Sequence, residues 1–287
     1  MCPQPRILLD DLVFPEGPRW WTDRLLFSDM HAGRVRSVDL DGKMADVSDE
    51  ISGHPSGLGF LPDGTLVIVS MQDRQLVTPA GTTLADLSEV CPAAANDMVI
   101  DRHGRMYVGN FGFDPFSGEP WCTTRLVCVE PDGRARRVGT ELMFPNGMVI
   151  TPDERTLLVA ETPACKITAF DIHDDGDLGS PRTWADVPGL PDGICLDADG
   201  MLWVSCPMTG TFESPGPGAH FRIEQGGTVT ARIDAEGFGA TAVMLGGPDG
   251  DHLFLLEAKE ADPSKIAGPG NGRIRVSKAP AAHAGWP

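Results

Sequence analysis

Apolar runs recur in pairs along the chain, each pair joined by a short polar turn. In LMFPNGMVITPDERTLLVAET, residues 142–162, a polar residue and a glycine open one apolar run, a turn follows, and a second apolar run returns. LPDGICLDADGMLWVSC, residues 190–206, repeats the plan. Aligned on their turns, the copies begin at Glu16, Ser56, Asn96, Asn146 and Asp192, with a weaker sixth near Ala242. The start-to-start spacings are 40, 40, 50, 46 and 50 residues. PDG-, ADG- and RHG-type turns join the runs, as expected of tight hairpins. Further strand-like runs follow, among them RVRSVDLDG, RLVCVEPDG and KITAFDIHDDG, giving about four strands per unit.

Four short strands in roughly 40–50 residues is the size of a propeller blade. Six units predict an all-β fold, a six-bladed β-propeller, and occupy residues 1–287 as one domain. The last unit ends in GRIRVSKAP without a fourth strand, and the N-terminal ILLDD is expected to supply it. Closing the ring in this way removes an exposed sheet edge.

Composition narrows the picture. The 34 glycines and 25 prolines suit many turns and argue against long helices. A formal net charge of −18 argues against nucleic acid or anionic membranes as partners and leaves a small molecule. No apolar run is long enough to span a bilayer. The start, MCPQPRILLDD, lacks the basic and apolar regions of a secretory leader. Seven scattered cysteines without CxxC spacing suit reduced thiols and a cytoplasmic location.

In a propeller the first strand of each blade lines the central channel, so the residue opening it faces the channel mouth. That position reads Glu16, Ser56, Asn96, Asn146, Asp192 and Ala242. Four carboxylates or amides around one axis need partners or a cation. All are oxygen donors, which favours Ca²⁺ first, then Mg²⁺ or Mn²⁺.

FPEGPRW, ANDMVIDRHGRMYVGNFGFD, FPNGMVITPDERTLLVAET and PDGICLDADGMLWVS resemble the gluconolactonase–regucalcin family, also called the senescence marker protein family. The likeness covers nearly the whole chain, and it extends in fold and metal ring to diisopropyl fluorophosphatase and the paraoxonases. It implies a lactonase with one divalent cation (calcium first, with Mg²⁺, Mn²⁺ or Zn²⁺ as alternatives). The resemblance carries metal ligation onto Glu16, Asn146 and Asp192, a substrate or metal contact onto Asn96, and the role of general base onto Asp192. Sugar-lactone members usually have an arginine two residues before the Asn96 position; here it is Ala94, which argues against a simple aldonolactone as substrate. A phosphotriesterase-like hydrolase and a non-catalytic calcium-binding regulatory protein are the alternative readings.

The second strand of each blade should end on the same face, bringing Met30-His31, Met71-Gln72, Asn110-Phe111, Glu161, Cys206 and Glu257 near the rim. His31 is a candidate proton shuttle or substrate contact there, His54 stands just before blade two, and Cys206 is a packed thiol or a nucleophile. Two long connections, residues 111–121 and 207–219, emerge on this face. The first brings Phe111, Phe113, Phe116 and Trp121 to the substrate's apolar part if it folds over the site. No GxSxG, HExxH or P-loop motif occurs.

Overall fold

The computed structural model describes residues 4–285 and consists of six four-stranded antiparallel sheets around one axis. The innermost strands of blades one to six are Pro15–Trp21, Pro55–Phe60, Ala95–Ile100, Pro145–Ile150, Ile194–Leu196 and Gly239–Gly246. Blades one to five add their next three strands in chain order outward, with a small hairpin, Thr209–Gly210 with Pro215–Gly216, inserted in blade five. Blade six takes His252–Ala258 and Gly272–Lys278 and then, as its outermost strand, Arg6–Leu12 from the other end of the chain. The expected closure by the N-terminal strand is therefore present.

Strand alternation explains how neighbouring blades hold together. Trp20 and Trp21 are consecutive in the inner strand of blade one, so their side chains point to opposite faces. Trp20 stacks on Phe254 of blade six at 5.5 Å, and Trp21 stacks on Phe60 of blade two at 4.0 Å. Trp20 and Trp21 are half-buried, whereas Trp203, Tyr107, Phe27 and Phe170 are fully buried in the second and third strands of their blades. Outer strands are wet: all three residues of Met44–Asp46 are exposed.

The hairpin turns are held by their aspartates. Asp101 Oδ1 accepts the N–H groups of His103 and Arg105, and Asp197 Oδ1 those of Asp199 and Met201. The six cysteines among the described residues are free. No helix among the described residues is long and apolar enough to cross a membrane.

Candidate functional site

A repeated irregularity builds the ring. In five blades the residue before the ring position pairs with a residue at the end of strand two: Pro15 with Asp29, Pro55 with Ser70, Ala95 with Asn110 and Pro145 with Glu161, each the last of its strand, and Ala240 with Glu257, the last but one. The register then slips, in blade one only after Glu16 has paired with Ser28, and such bulges re-aim the side chains beside them. In blade five Asp192 lies just before the strand, its N–H donating to Ser205 O at 2.8 Å. The pairing corrects the sixth copy: the residue after Ala240 is Thr241, so Thr241 holds the ring position and Ala242 stands one residue deeper. The Thr241 hydroxyl donates to Pro15 O at 2.9 Å, joining blade six to blade one.

The glycine after the ring residue lets the inner strands approach. A Cβ on Gly17 would stand 2.5 Å from Ser56 O, one on Gly57 2.5 Å from Met98 N, and one on Gly193 2.7 Å from Ala242 Cα. Blade three breaks the pattern with Asp97, which the sequence reading passed over although it stands where four other copies carry glycine.

Glu16, Asn96, Asn146 and Asp192 meet at the floor of a cavity of about 520 Å³. Asn96 Oδ1 accepts the Ser56 hydroxyl at 3.4 Å, and its amide nitrogen faces Pro145 O at 3.5 Å. The Asn146 amide donates to Thr162 Oγ1 at 3.3 Å, whose hydroxyl donates in turn to Pro191 O at 2.8 Å. Glu16 Oε2 accepts the N–H of Gly17 at 2.9 Å. Glu16 and Asp192 open onto the cavity on one side and are enclosed on the others. Loss of water raises the Glu16 carboxyl to about 8, against opposition from the Gly17 N–H, with the Asp97 charge adding to the rise. Asp192 is raised well above the usual range by burial first, then by the charges of Glu16 and Asp97.

The residues two before the ring form the side wall. Phe14, Ala94 and Phe144 line the cavity, and Phe144 holds a left-handed backbone (φ 48°) that is costly for a bulky residue. Its ring stacks on Phe111 at 4.5 Å and meets Phe113 at 6.0 Å. Among the described residues lining the cavity there are four carboxylates and neither lysine nor arginine.

His31 lines the cavity, edge-on to Phe14 at 5.2 Å and to His54 at 5.4 Å. Burial, with help from His54, lowers it to about 4, so it is neutral at pH 7. Trp121 stands off the wall, behind Phe113 at 4.8 Å and against Phe212 of the second long connection at 5.2 Å. Met30, Met71, Gln72 and Phe111 reach the cavity. Asn110, Glu161, Cys206 and Glu257, expected near the rim, are instead buried within their blades. Glu161 accepts from Met143 N and the Thr168 hydroxyl, and Glu257 from Arg273 and Arg275. Burial, reinforced by Asp192, pushes the Cys206 thiol well up, which disfavours the nucleophilic thiolate.

No three His, Cys, Asp or Glu side chains cluster as a metal-ligand group among the described residues. The ring instead offers two carboxylates and two amides. This all-oxygen set, with two carboxylates that no lysine or arginine among the described residues contacts, fits a hard divalent cation.

Six blades with oxygen donors converging on one end of the axis define a propeller with a small-molecule-sized cavity over a polar ring. Residues 14–259 match the family described as SMP-30/Gluconolactonase/LRE-like region, and the chain belongs to that family. It is 29% identical over 250 residues to pentonolactonase XacC of Haloferax volcanii, covering 85% of this chain and 81% of that protein. It is 24% identical over 261 residues to the 6-deoxy-6-sulfogluconolactonase of Pseudomonas putida, covering 86% and 84%. Among solved structures it shares its fold with the calcium-binding protein regucalcin of Agrobacterium tumefaciens, at a TM-score of 0.76 and 20% identity over 98% of this chain and 97% of that one.

Proposed function

We propose that the protein is a divalent-cation-dependent hydrolase that opens the ring of a lactone, with a substrate less hydroxylated than an aldonolactone. The observation that carries the reading is the Glu16–Asp192 pair, two enclosed carboxyls beside two ring amides, to which no side-chain cation among the described residues donates. Relatives named as lactonases over most of this chain support the reaction class. The regucalcin likeness supports calcium as the first cation to test.

Glu16, Asn146 and Asp192 would hold the cation, with Asn96 facing it or the substrate. Bound there, it would polarise the ester carbonyl and stabilise the oxyanion that develops. Asp192 accepts the proton of the attacking water or attacks the carbonyl itself. Its raised affinity for protons in the metal-free ring suits a base, and a bound cation opposes that rise. The Asn96 amide would help to orient the ester oxygen. His31, neutral at pH 7, can donate or accept a hydrogen bond without adding charge. Ala94, Phe14, Phe111 and Phe144 present apolar surface to the rest of the substrate.

A panel of sugar, aliphatic and aryl lactones, with a phosphotriester for comparison, tests the proposal in EDTA and with added Ca²⁺, Mg²⁺, Mn²⁺ or Zn²⁺. Lactone turnover that EDTA abolishes and a cation restores is the expected result. Turnover of the phosphotriester alone, or none with any cation, overturns it.

A further inference from the structure

A third carboxylate lies in the channel under the ring. Asp97 is 13% exposed and faces Arg19, whose side chain is 8% exposed. Arg19 belongs to the inner strand of blade one, three residues beyond Glu16, and crosses to blade three. Its Nη2 donates to Met98 O at 2.5 Å and lies 3.6 Å from Asp97 Oδ1, while Nη1 donates to Pro18 O at 2.7 Å. Beyond it is a cavity of only about 30 Å³, lined in part by His283, Ala284 and Gly285. Arg19 thus floors the site. Its Nε is buried without a hydrogen-bond partner, a cost that backbone bracing alone leaves unexplained. The pair is felt at the ring, since the Asp97 charge acts on Glu16 and Asp192, and the Arg19 charge on Glu16.

We propose that Arg19 is a positioning residue for the cation: by neutralising Asp97 it leaves Glu16 and Asp192 as the two net negative charges of the site and so matches the ring to a divalent ion. The proposal rests on the cation reading given above. Once a cation displaces the protons of Glu16 and Asp192, those two and Asp97 carry three negative charges, and Arg19 offsets one. Without Arg19 the site holds three and favours higher cation charge. Without the Asp97 charge it holds one, and a divalent ion is bound with an excess of positive charge in an enclosed site.

The test is calorimetric titration of Ca²⁺ and, separately, of Tb³⁺ as a trivalent probe into the full-length protein and its variants, with circular dichroism to verify folding. Arg19→Gln should tighten calcium by about tenfold or more and terbium by a larger factor. Asp97→Asn should weaken calcium by about tenfold or more. The double variant restores the net charge and should return within about threefold of the unaltered protein. A purely structural role predicts weakening in all three, and that result overturns the proposal. If Arg19→Gln does not fold, Arg19→Lys decides alongside Asp97→Asn: the charge is kept and calcium affinity should stay within about threefold, so a larger loss overturns it. Should the unaltered protein bind no divalent cation, the cation reading fails and this proposal with it. Binding that changes with the wrong signs sinks the charge assignment alone.

Discussion

Gly147 and Asp192 touch through the backbone: the Gly147 N–H donates to Asp192 O at 3.2 Å, and a Cβ on Gly147 would stand 2.5 Å from that same oxygen. The residue after one proposed ligand, Asn146, therefore sets how near its blade can come to the other, Asp192. Gly147→Ala should force the two strands apart. The expected loss is about 1–3 kcal/mol of stability, seen in denaturant unfolding, with cation affinity falling as well. Unchanged affinity and stability would show that the close approach is incidental.

Asp192→Asn keeps the shape of the side chain and removes its basicity. Turnover should fall by about a thousandfold or more, while the metal-free melting temperature holds or rises because an enclosed ionisable carboxyl is replaced by a neutral amide. Glu16→Gln should mainly weaken cation affinity. Substantial activity in Asp192→Asn would rule out Asp192 as the base.

The metal-free protein should become less stable as pH rises. The Glu16 carboxyl loses its proton near 4.5 when unfolded and near 8 when folded. Between those values the folded state holds a proton that the unfolded chain has released, so stability falls with pH across the window. Its contribution is complete below about 4.5 and gone above about 8. Asp192 is raised for the same reason and acts in the same direction. Melting curves in EDTA from pH 5 to 8.5 should show the decline, and saturating calcium should raise the curve most at the alkaline end. A flat profile with no calcium response would contradict both the pair and its cation.

Ala94→Arg would place five donors beside Asn96 where the wall is now apolar. The ratio of kcat/KM should shift toward gluconolactone or xylonolactone, away from aliphatic or aryl lactones, by about one to two orders of magnitude. Since no lysine or arginine lines the cavity among the described residues, sulfonated or phosphorylated lactones should be poor substrates of the unaltered protein. Preference for aldonolactones before the substitution, unchanged after it, would remove position 94 from specificity.

The strand pairs were legible because their apolar runs and turns recur at near-constant spacing, and blade closure followed from the missing fourth strand. The ring was legible for the same reason at Glu16, Asn96, Asn146 and Asp192. Thr241 was misplaced by one residue because the sixth copy lacks both the carboxylate or amide and the glycine that fix the register. Asp97 and Arg19 were missed because their meeting depends on blades one and three both lining the channel, with Arg19 reaching past blade two, which linear spacing does not encode. The sequence placed Glu161 and Glu257 near the rim, but local ion pairs hold both inside their sheets, where Lys166 lies 3.1 Å from Glu161 and Arg273 2.6 Å from Glu257. Trp121 illustrates a different limit, because where an aromatic on a long connection settles depends on contacts such as that with Phe212.

The sixth sheet joins Arg6–Leu12 to Gly272–Lys278, a strand made long after it. During synthesis the early strand has no partner until residue 278 has left the ribosome. At about 5–20 residues per second, the interval is on the order of ten seconds or more. Through it the growing protein carries an unpaired strand and a gap in its circle, both open to contact with other chains. Glu16 emerges well before Asp192, so the proposed cation ring also waits for residue 192. Completion of the circle would thus wait for that late strand, leaving the nascent chain open to misassembly until the two ends meet.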